Sequence, residues 1–163
     1  MDIATFDEAP ADAAAALLRA CADVDAWVET LVAERPFGSV EALLGRADVL
    51  AGDWTPDQVD AALADHPRIG ERHAGAGTSA ALSGREQSGV DTSTETAARL
   101  AAGNAAYEER FGRVFLVRAA GRGTGEILAL LEQRLTHDPD TELAVTAQQL
   151  REIAVLRLKG LLT

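Results

Sequence analysis

Titratable and anion-binding side chains gather in one short stretch, Asp65-His66-Pro67-Arg68-Ile69-Gly70-Glu71, followed by Ser83-Gly84-Arg85-Glu86-Gln87. His66 has the widest chemical reach of these groups, because an imidazole with an ordinary pKa of about 6.5 gives or takes a proton near neutral pH. Pro67 bears on its placement, since proline disfavours helix for the residue before it and fixes its own φ. His66 is therefore expected to leave a helix and enter a loop, where side chains are presented to ligands. Plainer readings compete with this one. A His before Pro at a helix end also serves as a surface or capping residue, and Ser83-x-x-Glu86 has the spacing of a capping box at a helix start. What favours chemistry is the combination: a His, a Glu-Gln pair and three arginines in one Gly- and Ala-rich segment without helical period.

The charge distribution narrows the ligands. A formal net charge of -11 argues against nucleic acid and acidic membranes, which are bound by setting Lys and Arg against phosphates. His66 to Gln87 departs from that balance, because Arg68, Arg72 and Arg85 against Glu71 and Glu86 leave it at +1 and the remainder at -12. Either a small anion is drawn there, or the three arginines are simply solvated. His66, Glu71 and His73 invite a metal reading, yet no pair has the i, i+4 spacing of a zinc helix, so no metal is expected. Gly121-Arg122-Gly123-Thr124-Gly125 lacks the spacing of a P-loop or dinucleotide fingerprint and is read as a turn.

The elements that must position these groups are helices. Hydrophobic residues make up 47% of the chain and aromatics only 4%, with Ala and Leu dominant, a composition that favours close-packed helices over sheet. The expectation is an all-α fold, one compact domain over 1–163 with about seven or eight helices. Cys21 is the only cysteine, so one chain holds neither a disulfide framework nor a thiolate cluster. The acidic start without a secretion signal and the lack of a long apolar run suit a soluble cytoplasmic protein. Periodicity predicts helices over Ala9–Ala20 and Val24–Glu34, then one capped by Ser39. Thr55-Pro56-Asp57-Gln58 predicts an N-cap, a first-position proline and a closing Gln, with a helix over Asp57–Ala64 that delivers His66 at its exit. Arg68–Gly89 shows little helical period, and its glycines predict mobility and ordering on a ligand. A long helix over Ser93–Arg110 ends at Phe111-Gly112. Val114–Val117 is a short extended or buried run, and helices follow over Thr124–Thr136 and Thr141–Leu162.

Taken together, these pieces resemble the family of 2-oxo-4-hydroxy-4-carboxy-5-ureidoimidazoline (OHCU) decarboxylases, which complete urate oxidation by releasing CO2 to leave (S)-allantoin. The landmarks are Cys21 to Trp27, Arg35-Pro36-Phe37, Ala64 to Glu71, Ser83 to Gln87, Asn104 to Tyr107, Phe111-Gly112 with Phe115-Leu116-Val117, and Glu152 to Leu158. Their order and spacing cover nearly the whole chain. The resemblance implies an all-helical homodimer that decarboxylates a small anionic ureidoimidazoline without metal or organic cofactor. It matches His66 to the catalytic histidine, Pro67 to the pocket floor, and Ser83, Glu86 and Gln87 to polar groups that hold the substrate. Backbone groups over Phe115, Leu116, Val117 and Arg118 match a segment lining the ring site. Arg157 matches a late-helix arginine facing the pocket, an orienting role for which Arg118 and Arg134 also compete. On this reading Glu86 orients either the imidazole or a substrate hydroxyl. The chain departs from its relatives at His137, where Asn is common, and at Gly75–Ala81, which is smaller and less charged. The rival readings are a non-catalytic helical domain that binds an anion or partner protein through the arginine-rich loop, and a lyase or hydrolase acting on another ureide.

Overall fold

The helix that carries His66 to its place is the fifth of nine that the computed structural model contains among the residues it describes, 1–71, 77–90 and 93–162. The order is α1 Ile3–Glu8, α2 Ala11–Cys21, α3 Asp25–Ala33, α4 Val40–Gly52, α5 Pro56–Ala64, α6 Thr78–Glu86, α7 Thr94–Phe111, α8 Thr124–Arg134 and α9 Pro139–Leu161. No strand occurs among the described residues, and no helix is long and apolar enough to cross a membrane. Arg72, His73 and Gly75 lie outside the described residues.

Local chemistry explains most boundaries. Ser39 Oγ accepts from the Ala42 N–H at 3.1 Å and starts α4. At α5 the expected box closes both ways: the Thr55 N–H donates to Gln58 Oε1 at 2.9 Å, and the Gln58 N–H to Thr55 Oγ1 at 3.3 Å. Each satisfies a donor that an unflanked helix start leaves orphaned. Gly112 ends α7 at φ +69, a left-handed conformation suited to glycine, with its N–H on Glu108 O at 2.8 Å. The last helix begins two residues earlier than expected, because Pro139 needs no donor at a first helical position and Asp138 Oδ1 caps the Thr141 N–H at 2.8 Å.

Two helices depart from expectation. α1 is only six residues long, too short for a period to register; its start is set by Asp2, whose Oδ1 accepts from the Thr5 N–H at 2.8 Å. α6 lies within the segment expected to be non-helical. Its N-cap is Gly77, which offers no side-chain acceptor, so no start signal precedes it. The Ser83-x-x-Glu86 pair that resembled a start stands instead at its C-terminal half, and the capping-box reading is corrected accordingly.

The chain divides into two compact units, Met1–Ala62 with Leu150–Thr163 and Leu63–Gln149. In the first, α3 packs on α2 and α4, burying Phe6, Leu18, Trp27, Leu31 and Leu43. Trp27 Nε1 donates to Ala47 O at 3.0 Å. The expected break at Arg35-Pro36-Phe37 is held by polar contacts: the Arg35 guanidinium donates to Phe6 O and Ala9 O at 2.9 and 2.7 Å, and Asp7 accepts from the Phe37 and Gly38 N–H groups.

In the second unit α7 packs on α8, and Gly103 permits the approach, since a Cβ there would lie 2.2 Å from Leu131 Cδ2. Its core joins Ile69, Leu100, Tyr107, Phe115, Val117, Ile127 and Leu131. Phe115, Leu116 and Val117 form the buried, irregular run expected after Gly112.

Candidate active site

His66 stands two residues beyond α5. Its N–H closes a last tight turn onto Leu63 O at 3.0 Å; Pro67, without an N–H, cannot extend the ladder. The imidazole is half-buried, as are Asp65 and Pro67.

The loop that follows is tied down by side chains of α6 and α7. Asp65 accepts a short hydrogen bond from Ser79 Oγ. Arg68 pairs with Glu108, Nε to Oε1 at 2.7 Å and Nη2 to Oε2 at 3.3 Å, and reaches Glu71 at 3.6 Å. The Glu108 hydrogen bond holds the Arg68 guanidinium above its ordinary pKa. Asn104 Nδ2 donates to Ile69 O at 3.0 Å. Gln87 spans the turn, its Oε1 accepting from the Gly70 N–H at 2.9 Å and its Nε2 donating to Arg68 O at 3.5 Å. Gly70 sits at φ +91, a region that side-chain-bearing residues rarely adopt.

These ties orient α6. Ser79, Ser83, Glu86 and Gln87 recur at i, i+4, i+7 and i+8, the spacing of one helical stripe. Because Ser79 and Gln87 both bond to the 65–70 loop, Ser83 and Glu86 lie on the stripe that faces it. Ser83 is buried and Glu86 half-buried. His66, Ser83 and Glu86 thus share the second unit, whereas the amide of Gln87 is engaged with the loop backbone. A cavity of about 50 Å³ adjoins the far end of the loop, lined by Ile69, Gly70, Glu71, Ala97, Leu100, Ala101 and Asn104.

The arginines separate clearly. Arg134 is 3% exposed. It donates through Nε to Glu142 Oε1 at 2.5 Å, through Nη2 to Thr146 Oγ1 at 3.2 Å, and through Nη1 to Leu116 O. Its guanidinium also lies 4.8 Å from the Phe115 ring centroid and 5.6 Å from that of Tyr107, cation–π geometry. Glu142 additionally accepts from Tyr107 Oη at 2.5 Å, and its Oε2 is 3.0 Å from His137 Nδ1. Burial, reinforced by the bond to Glu142, pushes the Tyr107 phenol up to about 12. Arg134 therefore builds the unit's interior. Arg118 donates through Nη1 to Ala120 O at 3.0 Å, while its N–H meets Gln149 Oε1 at 2.9 Å. Arg157 belongs to the first unit, buried, with Nη1 on Ala20 O at 3.2 Å.

Sequence reasoning passed over Ser79, Glu108, Glu142 and Thr146, and gave Asn104 as a landmark of the resemblance without a role. Two signals were present. Asn104 interrupts the apolar face of α7 with Glu108 one turn further on, and Glu142 and Thr146 fall in line with Leu150 on α9. Among the described residues, no three His, Cys, Asp or Glu side chains converge as a metal site would require.

Known proteins resemble this chain in sequence and in fold. The OHCU decarboxylase family model matches residues 7–159. A Haloferax volcanii protein named 2-oxo-4-hydroxy-4-carboxy-5-ureidoimidazoline decarboxylase is 32% identical over 139 residues, 81% of this chain and 79% of its own. The Arabidopsis thaliana "uric acid degradation bifunctional protein TTL" is 28% identical over 88% of this chain, and the match spans 45% of that longer protein. A solved structure described as OHCU decarboxylase in the presence of (S)-allantoin superposes with a TM-score of 0.72 at 23% identity, covering 86% of this chain and 93% of that one. That last likeness speaks to the fold.

Proposed function

This chain belongs to the OHCU decarboxylase family, a family of carboxy-lyases, and from that premise we propose that it removes CO2 from 2-oxo-4-hydroxy-4-carboxy-5-ureidoimidazoline to leave (S)-allantoin, with His66 as the proton donor. The observation that carries the proposal is the family match over residues 7–159, which includes His66 and the α6 stripe that faces its loop.

The chemistry asks for few groups. The bond to the carboxylate breaks, CO2 departs, and the electron pair delocalises into the ring. Product forms when a proton reaches the ring carbon, and delivery from one face sets its handedness. His66 supplies that proton and regains one from solvent. A positioned general acid contributes about 10²- to 10⁴-fold in rate. Glu86 orients the imidazole or the substrate hydroxyl, and Ser83 adds a polar contact from the same stripe. The backbone of Phe115 to Arg118 lines the ring, with Arg134 fixing the Leu116 carbonyl from inside. The family resemblance gives Arg157, in the first unit, an orienting role; an arginine that gripped the departing carboxylate equally in ground and transition states would not raise turnover. The reading includes a cytoplasmic homodimer without metal or organic cofactor.

The rival reading, an anion bound through the arginine-rich loop, is weakened by Arg68, whose charge is paired with Glu108 and Glu71. The test is CO2 release from freshly generated urate-oxidation product, measured with and without exhaustive chelation. Release well above the spontaneous rate in both conditions is expected. Release at the spontaneous rate contradicts the activity, and loss on chelation that one added metal restores contradicts the cofactor-free mechanism.

A further inference from the structure

We infer that Asn104 is a positioning residue for His66, acting through its hydrogen bond to the Ile69 carbonyl; the inference rests on the reading of His66 as the proton donor. Asn104 is 3% exposed in the middle of α7 and donates Nδ2 to Ile69 O at 3.0 Å, across 35 residues of sequence. Ile69 is itself buried in the second core, so its side chain and its carbonyl are fixed together. Only Pro67 and Arg68 separate it from His66, and Pro67 has little freedom because its ring fixes φ. Arg68 is clamped by Glu108, one turn along α7 from Asn104. A shift of the Ile69 carbonyl is therefore passed to the imidazole rather than absorbed between them.

The unused half of the carboxamide points the same way. Asn104 Oδ1 is buried and has no hydrogen-bond partner among the described residues, and Asn104 lines the cavity of about 50 Å³ with Ile69 and Gly70. A buried acceptor without a partner is a penalty. Leucine or alanine would fill an interior α7 position without it, so packing alone does not account for asparagine here. A requirement for the Nδ2 donor does. The carbonyl of Ile69 also settles the orientation, since the flipped amide would set oxygen against oxygen.

The test compares Asn104→Leu, which keeps much of the volume and removes the donor, with Asn104→Ala and with Leu131→Ala as a control destabilised elsewhere in the same core. Two readouts are taken well below each melting temperature: hydrogen–deuterium exchange of the peptide containing residues 65–71, and steady-state kinetics. In whichever Asn104 variant folds, exchange should rise in that peptide. There kcat should fall about tenfold or more, about 1.4 kcal/mol of barrier, while KM stays within about twofold. Leu131→Ala should change neither. Unchanged exchange, unchanged kcat, or a loss of kcat that the control reproduces at equal stability overturns the inference. Failure of the reading it rests on would look different, as a wild-type protein without activity whose exchange pattern still responds to Asn104.

Discussion

Removing Arg134 should destabilise the protein at least as much as removing Arg134 and its partner together. The side chains of Arg134 and Glu142 are 4% and 2% exposed, so water screens neither charge. Arg134→Met fills much of the same volume but leaves the Glu142 carboxylate buried beside the Tyr107 hydroxyl and His137, and takes away the donor that Arg134 gives Leu116 O. Breaking one side of a buried ion pair costs about 3–5 kcal/mol, which for a chain of this size corresponds to a fall in Tm of about 6–20 °C. Adding Glu142→Leu removes the stranded charge. The double variant should therefore be no less stable than Arg134→Met, with a coupling of at least about 1 kcal/mol. Urea denaturation followed by far-ultraviolet circular dichroism on the wild type, both single variants and the double variant measures the cycle. Strictly additive losses, or an Arg134→Met loss below about 1 kcal/mol, would refute the view that this network holds the interior of the second unit.

Tyr107 is the only tyrosine, so ultraviolet difference absorbance reads it alone. Its midpoint in the folded protein should lie near 12 rather than the ordinary 10. Because the folded-state value is raised, the stability from the protonated phenol is complete below about pH 10 and lost as pH climbs towards 12, a decline that Tyr107→Phe should flatten. Glu86→Gln should lower turnover more than about tenfold while Glu71→Gln leaves it nearly unchanged, as steady-state kinetics with matched thermal melts will show. Glu86 ends α6 rather than starting it, so a loss there is not the loss of a cap. Gly103→Ala should lower stability by up to about 2 kcal/mol in chemical denaturation, because overpacking against Leu131 offsets the gain in helix propensity.

Signals that act within a few residues were legible in the sequence. The Thr55–Gln58 box, the Ser39 cap, the Gly112 stop and the exit of His66 before Pro67 each depend on neighbours within a turn of helix, and each stands where expected. α1 and α6 were not legible, one too short for a period and the other capped by a glycine with no side chain to announce it. The same limit applies at the site. His66 and the Ser83–Gln87 group stood out by residue type. That Gln87 grips Gly70 and Arg68, that Asn104 grips Ile69, and that Glu142 lies buried against Arg134 depends on contacts across 8 to 35 residues, which residue type alone does not reveal.

The central claim is that His66 delivers a proton to one face of the decarboxylated ring, and the handedness of the product tests it most directly. Freshly generated urate-oxidation product should be turned over by wild type and by His66→Ala, with CO2 release and the circular dichroism of allantoin followed together and thermal melts confirming that both proteins are folded. The account predicts rapid CO2 release with an (S)-allantoin signal from wild type. From folded His66→Ala it predicts release at or near the spontaneous rate with little or no optical activity. An (S) signal formed by His66→Ala at near wild-type rate would contradict it.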